Sequence, residues 1–534
     1  MSEKTVRQKT LTQAYAWLHT WGGLVFGWVL FPVFLTGTLA VFDKEIDSWM
    51  RPELAAHSLD QVAASQRALD YLQANHPGAS AWNIGLPNPR SPNLTVSAGE
   101  QRRGAGTYLD AESGQPQAVR ETAGGGFFFR FHFTLNLPRN IGIWAVGLAA
   151  MAMLVALLSG IVIHKKFFKD FFTFRPAKGQ RSWLDAHNAT GVLVLPFHLM
   201  ITYTGLVIFY LIYMPAAMDA LFDGDREAAT QAMRGGGGEQ HQQQRPPQGQ
   251  GRPQGGREQG QRPAAAAASA ELTALAPVLA AAENAMGPLA GLSIHNPGRS
   301  DARIEVRPVL GNRIELTKGQ SMLFDGVTGK VLRQPAASRP SQLTQRVMAG
   351  LHFAQFGGYP MRWLYFLCGL ASCAMIATGL LLFTVKRRRR HDSEGVLGAR
   401  LYHAAERLNI AVVAGLSLSC VALLWANRLL PVELTQRGEW EVRLFFGLWL
   451  LSLGHALVRP WLQAWREQLL AAALLCLALP LLNLLGDNRG EHCYLDASSV
   501  VIGLLLAFAA WKIGQPGKPR PARKNATALQ EALQ

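Results

Sequence analysis

The chain has 534 residues, of which 49% are hydrophobic and 16% charged, and a formal net charge of +16. That is too apolar for one soluble domain and too polar for a protein immersed wholly in lipid, so membrane and aqueous segments must alternate. The basic residues sit in short clusters beside apolar runs, which argues against nucleic acid as the partner.

In chain order, apolar runs long enough to cross a hydrocarbon core, roughly 20 helical residues, occur near 17–42, 141–163, 190–213, 362–385, 407–427, 442–458, 467–485 and 496–511. The fold class expected is an α-helical polytopic membrane protein with about eight spans. Residues 1–42 hold the N-terminus and span 1, whose apolar stretch is too long for the core of a cleaved signal peptide. Residues 43–140 form a first extended loop, 141–213 carry spans 2 and 3 around a basic connection, and 214–361 form a second extended loop. Span 4 follows in 362–390, an appended four-span bundle in 400–512 and a tail in 513–534. Lys4, Arg7, Lys9, Lys165, Lys166, Lys169, Arg175, Lys178, Arg181, the run from Lys386 to Arg390, Arg459, Arg466, Lys518, Arg520, Arg523 and Lys524 all fall on one side of such a topology. The positive-inside rule makes that side the cytoplasm and puts both termini there.

The two extended loops share one order of elements. A helix-like stretch (Gln61 to Ala74; Glu271 to Ala285, the latter interrupted by Pro277) leads to short strand-like runs. A turn follows, Asp110-Ala111-Glu112-Ser113-Gly114 in the first loop and Asp325-Gly326-Val327-Thr328-Gly329 in the second. Two duplicated outer α+β domains are therefore expected. Residues 234–268, rich in Gly, Gln, Pro and Arg, read as a disordered solvated insert. Trp425, Trp440, Trp449, Trp461 and Trp465 fall near predicted span ends, as interfacial anchors do. Cys368, Cys373, Cys420 and Cys476 lie in predicted spans, Cys493 lies outside them, and no CxxC occurs, so neither a disulfide framework nor a thiolate cluster is expected.

The duplication extends to the histidines. His19-Thr20-Trp21-Gly22-Gly23, followed by Thr36-Gly37, returns as His187-Asn188-Ala189-Thr190-Gly191, followed by Thr204-Gly205. Likewise Phe131-His132-Phe133 before one span matches Leu351-His352-Phe353 before another. A neutral imidazole beside a membrane is a common axial ligand for haem. His19 with His187 would hold one such group at the inner face, and His132 with His352 a second at the outer face; headgroup contact or a plain hydrogen bond is the alternative for each. His198, eleven residues past His187 and well inside the bilayer, is an intramembrane ionisable group and a further ligand candidate. His164 reads as a headgroup residue, His455 as a weaker ligand candidate without a partner, and His403 and His492 as loop-edge residues. Gly22, Gly23, Gly37, Gly160, Gly191, Gly205 and Gly379 leave room for a flat ring or for close helix packing.

The ordered set His19-x-Trp21-x-Gly23 … Thr36-Gly37, Phe131-His132-Phe133 … Ser159-Gly160-Ile161, Asp185-x-His187-x-x-x-Gly191 … Thr204-Gly205, Leu351-His352-Phe353 … Thr378-Gly379 resembles the PepSY-associated transmembrane-helix proteins. The turns at Asp110 to Gly114 and Asp325 to Gly329 make the two periplasmic α+β domains look PepSY-like, and the resemblance runs from about residue 14 to 390. It implies an iron-regulated protein of the bacterial inner membrane that uses one or two haem b groups to pass electrons to a ferric siderophore in the periplasm. Without a Gly-x-Gly-x-x-Gly opening a βαβ unit, the donor expected is a quinol or a separate reductase. The four-span bundle and the insert depart from the pattern. Rival expectations are a membrane-anchored module that regulates a peptidase and a siderophore or iron transporter, with lipid the remaining partner.

Overall fold

The first apolar run becomes helix α1, Leu11–Ala40. It opens on a capping box in which the Thr10 hydroxyl accepts from Gln13 N and the Gln13 side chain accepts from Thr10 N. The computed structural model describes residues 10–54, 60–99, 106–164, 179–213, 268–311, 313–317, 319–335, 337–388, 391–484 and 493–515. The 234–268 insert and most of the basic clusters used above to orient the chain lie outside the described residues.

After α1 come α2 (Asp43–Trp49), α3 (Gln61–Asn75), strands β1 (Ala81–Gly85), β2 (Leu94–Ala98), β3 (Thr107–Leu109) and β4 (Pro116–Gln117), then α4 (Gly126–Thr134) and α5 (Arg139–Ile163). The second half repeats this with α6 (Gln180–Leu193), α7 (Leu195–Ile208), α8 (Tyr210–Tyr213), α9 (Leu275–Met286), β5 (Leu289–His295), β6 (Arg303–Pro308), β7 (Met322–Asp325), β8 (Val331–Arg333), α10 (Pro340–Phe353) and α11 (Gly358–Arg387). The appended bundle is α12 (Gly395–Ile410), running through a π-turn into α13 (Leu416–Leu429), then α14 (Arg437–Val458), α15 (Trp461–Leu484) and α16 (Cys493–Gly514). Among the described residues seven helices are long and apolar enough to cross a membrane, and α6 with α7, bent by 65°, makes an eighth if counted as one span. The chain is thus a polytopic helical membrane protein with a separate sheet domain. The bend falls at Val194, beside Pro196, whose missing N–H cannot continue the helical ladder.

The duplicated outer units form one object. Their strands make a single eight-stranded antiparallel sheet in the order β4-β3-β2-β1-β5-β6-β7-β8, with the halves joined where β1 pairs β5. In that seam Trp82 faces Ile294, Asn83 faces Ser293 and Ile84 faces Leu292. The Ser293 hydroxyl donates to Asn83 Oδ1 at 2.7 Å. Period-2 alternation turns Ile84, Val96, Leu292, Ile304 and Val306 to one face, where α3 and α9 cover them with Ala68, Leu72, Leu279 and Ala282. Pro277, expected to interrupt the second helix, sits in the first turn of α9, where its missing N–H costs nothing. The sheet is fastened to α2 by Arg90, which donates to Glu45 at 2.8 and 2.9 Å and to Asp43 at 3.2 Å.

Among the tryptophans read as interfacial anchors, two serve the bundle interior instead. Trp425 donates to Leu475 O at 3.1 Å, and Trp449 donates to Ala411 O at 2.9 Å, a carbonyl in the π-turn. Trp465 is likewise buried, packed with Ile410 and Ala464. All five cysteines are free.

Candidate functional site

Four imidazoles are docked by one repeated device. His19 on α1 hydrogen-bonds through Nδ1 to Ala156 O of α5 at 2.9 Å, and His187 on α6 to Met375 O of α11 at 2.9 Å. His132 on α4 reaches Val33 O of α1 at 2.8 Å, and His352 on α10 reaches Ile201 O of α7 at 3.1 Å. A carbonyl only accepts, so Nδ1 carries the proton in every case and the lone pair of the neutral ring lies on Nε2. No hydrogen bond to those Nε2 atoms occurs among the described residues.

The sequence around each acceptor explains why the ring fits. Every accepting carbonyl lies four residues before a glycine: Ala156 before Gly160, Met375 before Gly379, Val33 before Gly37 and Ile201 before Gly205. A helical carbonyl already bonded to the N–H four residues on keeps a second lone pair, which a side chain at that position would cover. A methyl added to Gly37, Gly205, Gly379 or Gly160 would stand 2.8, 2.9, 3.0 or 3.3 Å from Cε1 of the docked ring. The preceding hydroxyl lines the notch: Ser159 donates to Ala156 O, while Thr36, Thr204 and Thr378 donate at 2.7 Å to the carbonyl one residue earlier, Pro32, Met200 and Ala374, and lie within longer reach of the accepting one. At four of these glycines the space left by the missing side chain is taken by a histidine ring. At Gly22 and Gly23 a methyl would meet nothing within 4 Å. The accepting residues themselves escaped sequence reasoning, although the recurring Ser/Thr-Gly pair was their signal.

Across the halves the rings meet as pairs. His132 and His352 stand 5.9 Å apart, centre to centre, on the sheet side, and His19 and His187 6.2 Å apart at the far ends of their helices. With metal–nitrogen bonds of about 2 Å and roughly 1 Å from ring nitrogen to ring centre, two imidazoles trans on one metal stand about 6 Å apart. Among the described residues no group of three or more His, Cys, Asp or Glu could hold a metal ion. A bare ion wants about four to eight donors, more than two histidines supply; a pair of imidazoles alone would suit a group that brings its other donors with it, as haem does.

His198 belongs to neither pair. It lies on α7 between His187 and the notch for His352, is 0% exposed, and has no hydrogen-bond partner on either ring nitrogen. Its ring stands 6.5 Å from those of Phe34 and Phe197. His164 contacts Asn188 Nδ2 through Nε2 at 2.6 Å, next to His187. Both nitrogens of His455 are engaged, by Glu467 at 2.8 Å and Gln468 at 3.2 Å, which removes the reason to consider it a ligand.

Fold and site together define a duplicated membrane protein that presents one histidine from each half at each of two levels of a helical core. The chain belongs to the PepSY-associated TM region family, whose model matches residues 16–386 and stops before the four-span bundle. It is similar to an uncharacterized protein of Pseudomonas aeruginosa, 27% identical over 417 residues that span 74% of this chain and 97% of the relative.

Proposed function

We propose that this protein is a haem-containing reductase of the bacterial inner membrane that delivers electrons to a ferric siderophore in the periplasm. The observation that supports it is the two imidazole pairs, 6.2 and 5.9 Å between ring centres, with each ring fixed through Nδ1. In this reading His19 and His187 hold one haem b, and His132 and His352 another. Bis-imidazole haem changes between iron(III) and iron(II) and so passes one electron at a time. The protein's part is to fix ring rotation and basicity through the carbonyl bonds, as outer partners of ligating histidines do. Reduction serves release, because hard oxygen donors hold iron(III) far more tightly than iron(II). The sheet would lie in the periplasm and the termini in the cytoplasm, with a quinol or a separate reductase as donor.

The test is the visible spectrum of purified protein, air-oxidised and dithionite-reduced, with a haem count per chain. Two haems are expected for the native chain and one for each of His187→Ala and His132→Ala. Colourless protein from cells supplied with haem would overturn the reading, and full haem content in His132→Ala would remove the sheet-side site.

A further inference from the structure

The four appended spans attach to the sheet-side histidine of the first half. Helix α4, only nine residues long, carries His132 toward α1 on one side. Its other side is aromatic: Phe127 lies 4.9 Å from Phe445, and Phe131 lies 5.8 Å from Phe445 and 6.1 Å from Trp449, all on α14. The segment leading into α4 is held by an ion pair whose side chains are both 0% exposed, Arg437 and Glu441, 2.6 Å apart. Glu441 Oε2 accepts from the Thr122 hydroxyl at 2.7 Å and from Ala123 N at 2.8 Å. Arg437 donates to Glu121 O at 3.0 Å and to the Asn427 carbonyl, while Asn427 Nδ2 donates to Thr122 at 3.0 Å and to Glu441 at 2.9 Å. Buried charges satisfied this fully fix one geometry, because any shift leaves a charge unpaired in a low dielectric.

The equivalent helix of the second half is secured differently. The start of α10 is stitched to its own half, with Arg346 donating to Glu315 at 3.2 Å and to Ser338 at 2.6 Å, and Ser338 donating to Glu315 at 2.5 Å. Both rings dock on the duplicated core, but α4 is braced by the bundle as well, whereas α10 is tied to its own half.

We infer that the appended bundle is a positioning device for the sheet-side site, in which Glu441 and Arg437 set the orientation of His132 through α4. This rests on the proposed pairing of His132 with His352 as ligands. Neither residue touches that site; both act through Thr122, Ala123 and the phenylalanines of α4.

The experiment compares native protein with Glu441→Ala and with the double variant Arg437→Met, Glu441→Met, which removes both charges and so avoids an unpaired buried ion. Low-spin signals of the two sites are recorded separately by electron paramagnetic resonance. Amide exchange of α4 and α10 is measured in parallel and needs no haem. Expected in both variants are a loss or shift of the sheet-side signal with the far-side signal unchanged, and exchange faster by roughly tenfold or more in α4 but not in α10. A double variant with native sheet-side signal and native α4 exchange would overturn the inference. If the protein carries no haem, the proposed function fails, while α4 exchange still decides whether the clamp acts on that helix.

Discussion

Alanine at Gly37 separates a docked imidazole from ordinary helix packing, because the two predict opposite signs. Taken alone, Gly to Ala in a helix is stabilising by about 1 kcal/mol. Here the new methyl would stand 2.8 Å from His132 Cε1, whereas carbon atoms settle at about 3.5–4.0 Å. The ring must retreat by roughly 1 Å, which stretches the 2.8 Å bond from Nδ1 to Val33 O beyond hydrogen-bond range. Overpacking costs about 1–3 kcal/mol and an orphaned buried N–H about 1–3 kcal/mol, so the substitution should destabilise by about 1–5 kcal/mol net of the propensity gain. Gly22, on the same helix with nothing within 4 Å of its added methyl, is the internal control and should be neutral or slightly stabilised. Thermal unfolding of detergent-purified protein gives the stability order, and haem per chain reports whether the sheet-side ligand was lost. Equal midpoints and equal haem in Gly37→Ala and Gly22→Ala would refute the docking argument.

Three other outcomes are expected. His198→Leu removes two buried ring nitrogens without a close hydrogen-bond partner and should stabilise the protein by about 1–3 kcal/mol; a lower thermal midpoint would mean that the ring is satisfied after all. Burial alone would raise the Glu45 carboxyl, but the hydrogen bond and charge of Arg90 outweigh it and hold the group below its ordinary value. A depressed carboxylate stabilises above its unfolded pKa and loses that contribution as pH falls through the folded one, so the α2–sheet contact should loosen only once pH falls below the ordinary glutamate range. Amide exchange of α2 against pH checks this, and Glu45→Gln should flatten the profile. Finally, Asn83→Cys with Ser293→Cys should form a disulfide on mild oxidation, since directly paired strands bring Cα atoms within about 5.5 Å; failure to cross-link would contradict the joined sheet.

Much of the core was legible because the chain repeats itself. Equal spacing from His19 to Gly37 and from His187 to Gly205 marks matching positions in the two halves, although α1 runs through as one helix and the second stretch bends at Val194. What each glycine faces was hidden, because Gly37 meets a ring from residue 132 and Gly379 one from residue 187. The β1–β5 seam joins residues more than 200 positions apart, and nothing in either strand announces its partner. The Arg437–Glu441 pair lies just before the apolar run that marked its span, where charged residues read as loop, and only the approach of Thr122 and Ala123 buries it. Tryptophan near a span end likewise does not reveal whether it meets headgroups or, as with Trp449, a carbonyl within the bundle.

Each half of the sheet ends on the strand that meets the other half. A polypeptide carrying one half alone would present β1 or β5 as a bare row of N–H and C=O groups, the template on which sheets recruit foreign strands. A second copy closes that row, and it also brings the imidazole that faces each histidine. Edge protection and histidine pairing thus both follow from the duplication, and a half-length ancestor would meet both as a homodimer. Such a dimer would have to carry every accessory element twice. The fused chain is released from that rule, and the Arg437–Glu441 clamp grips a segment of the first half that, among the described residues, has no such clamp in the second.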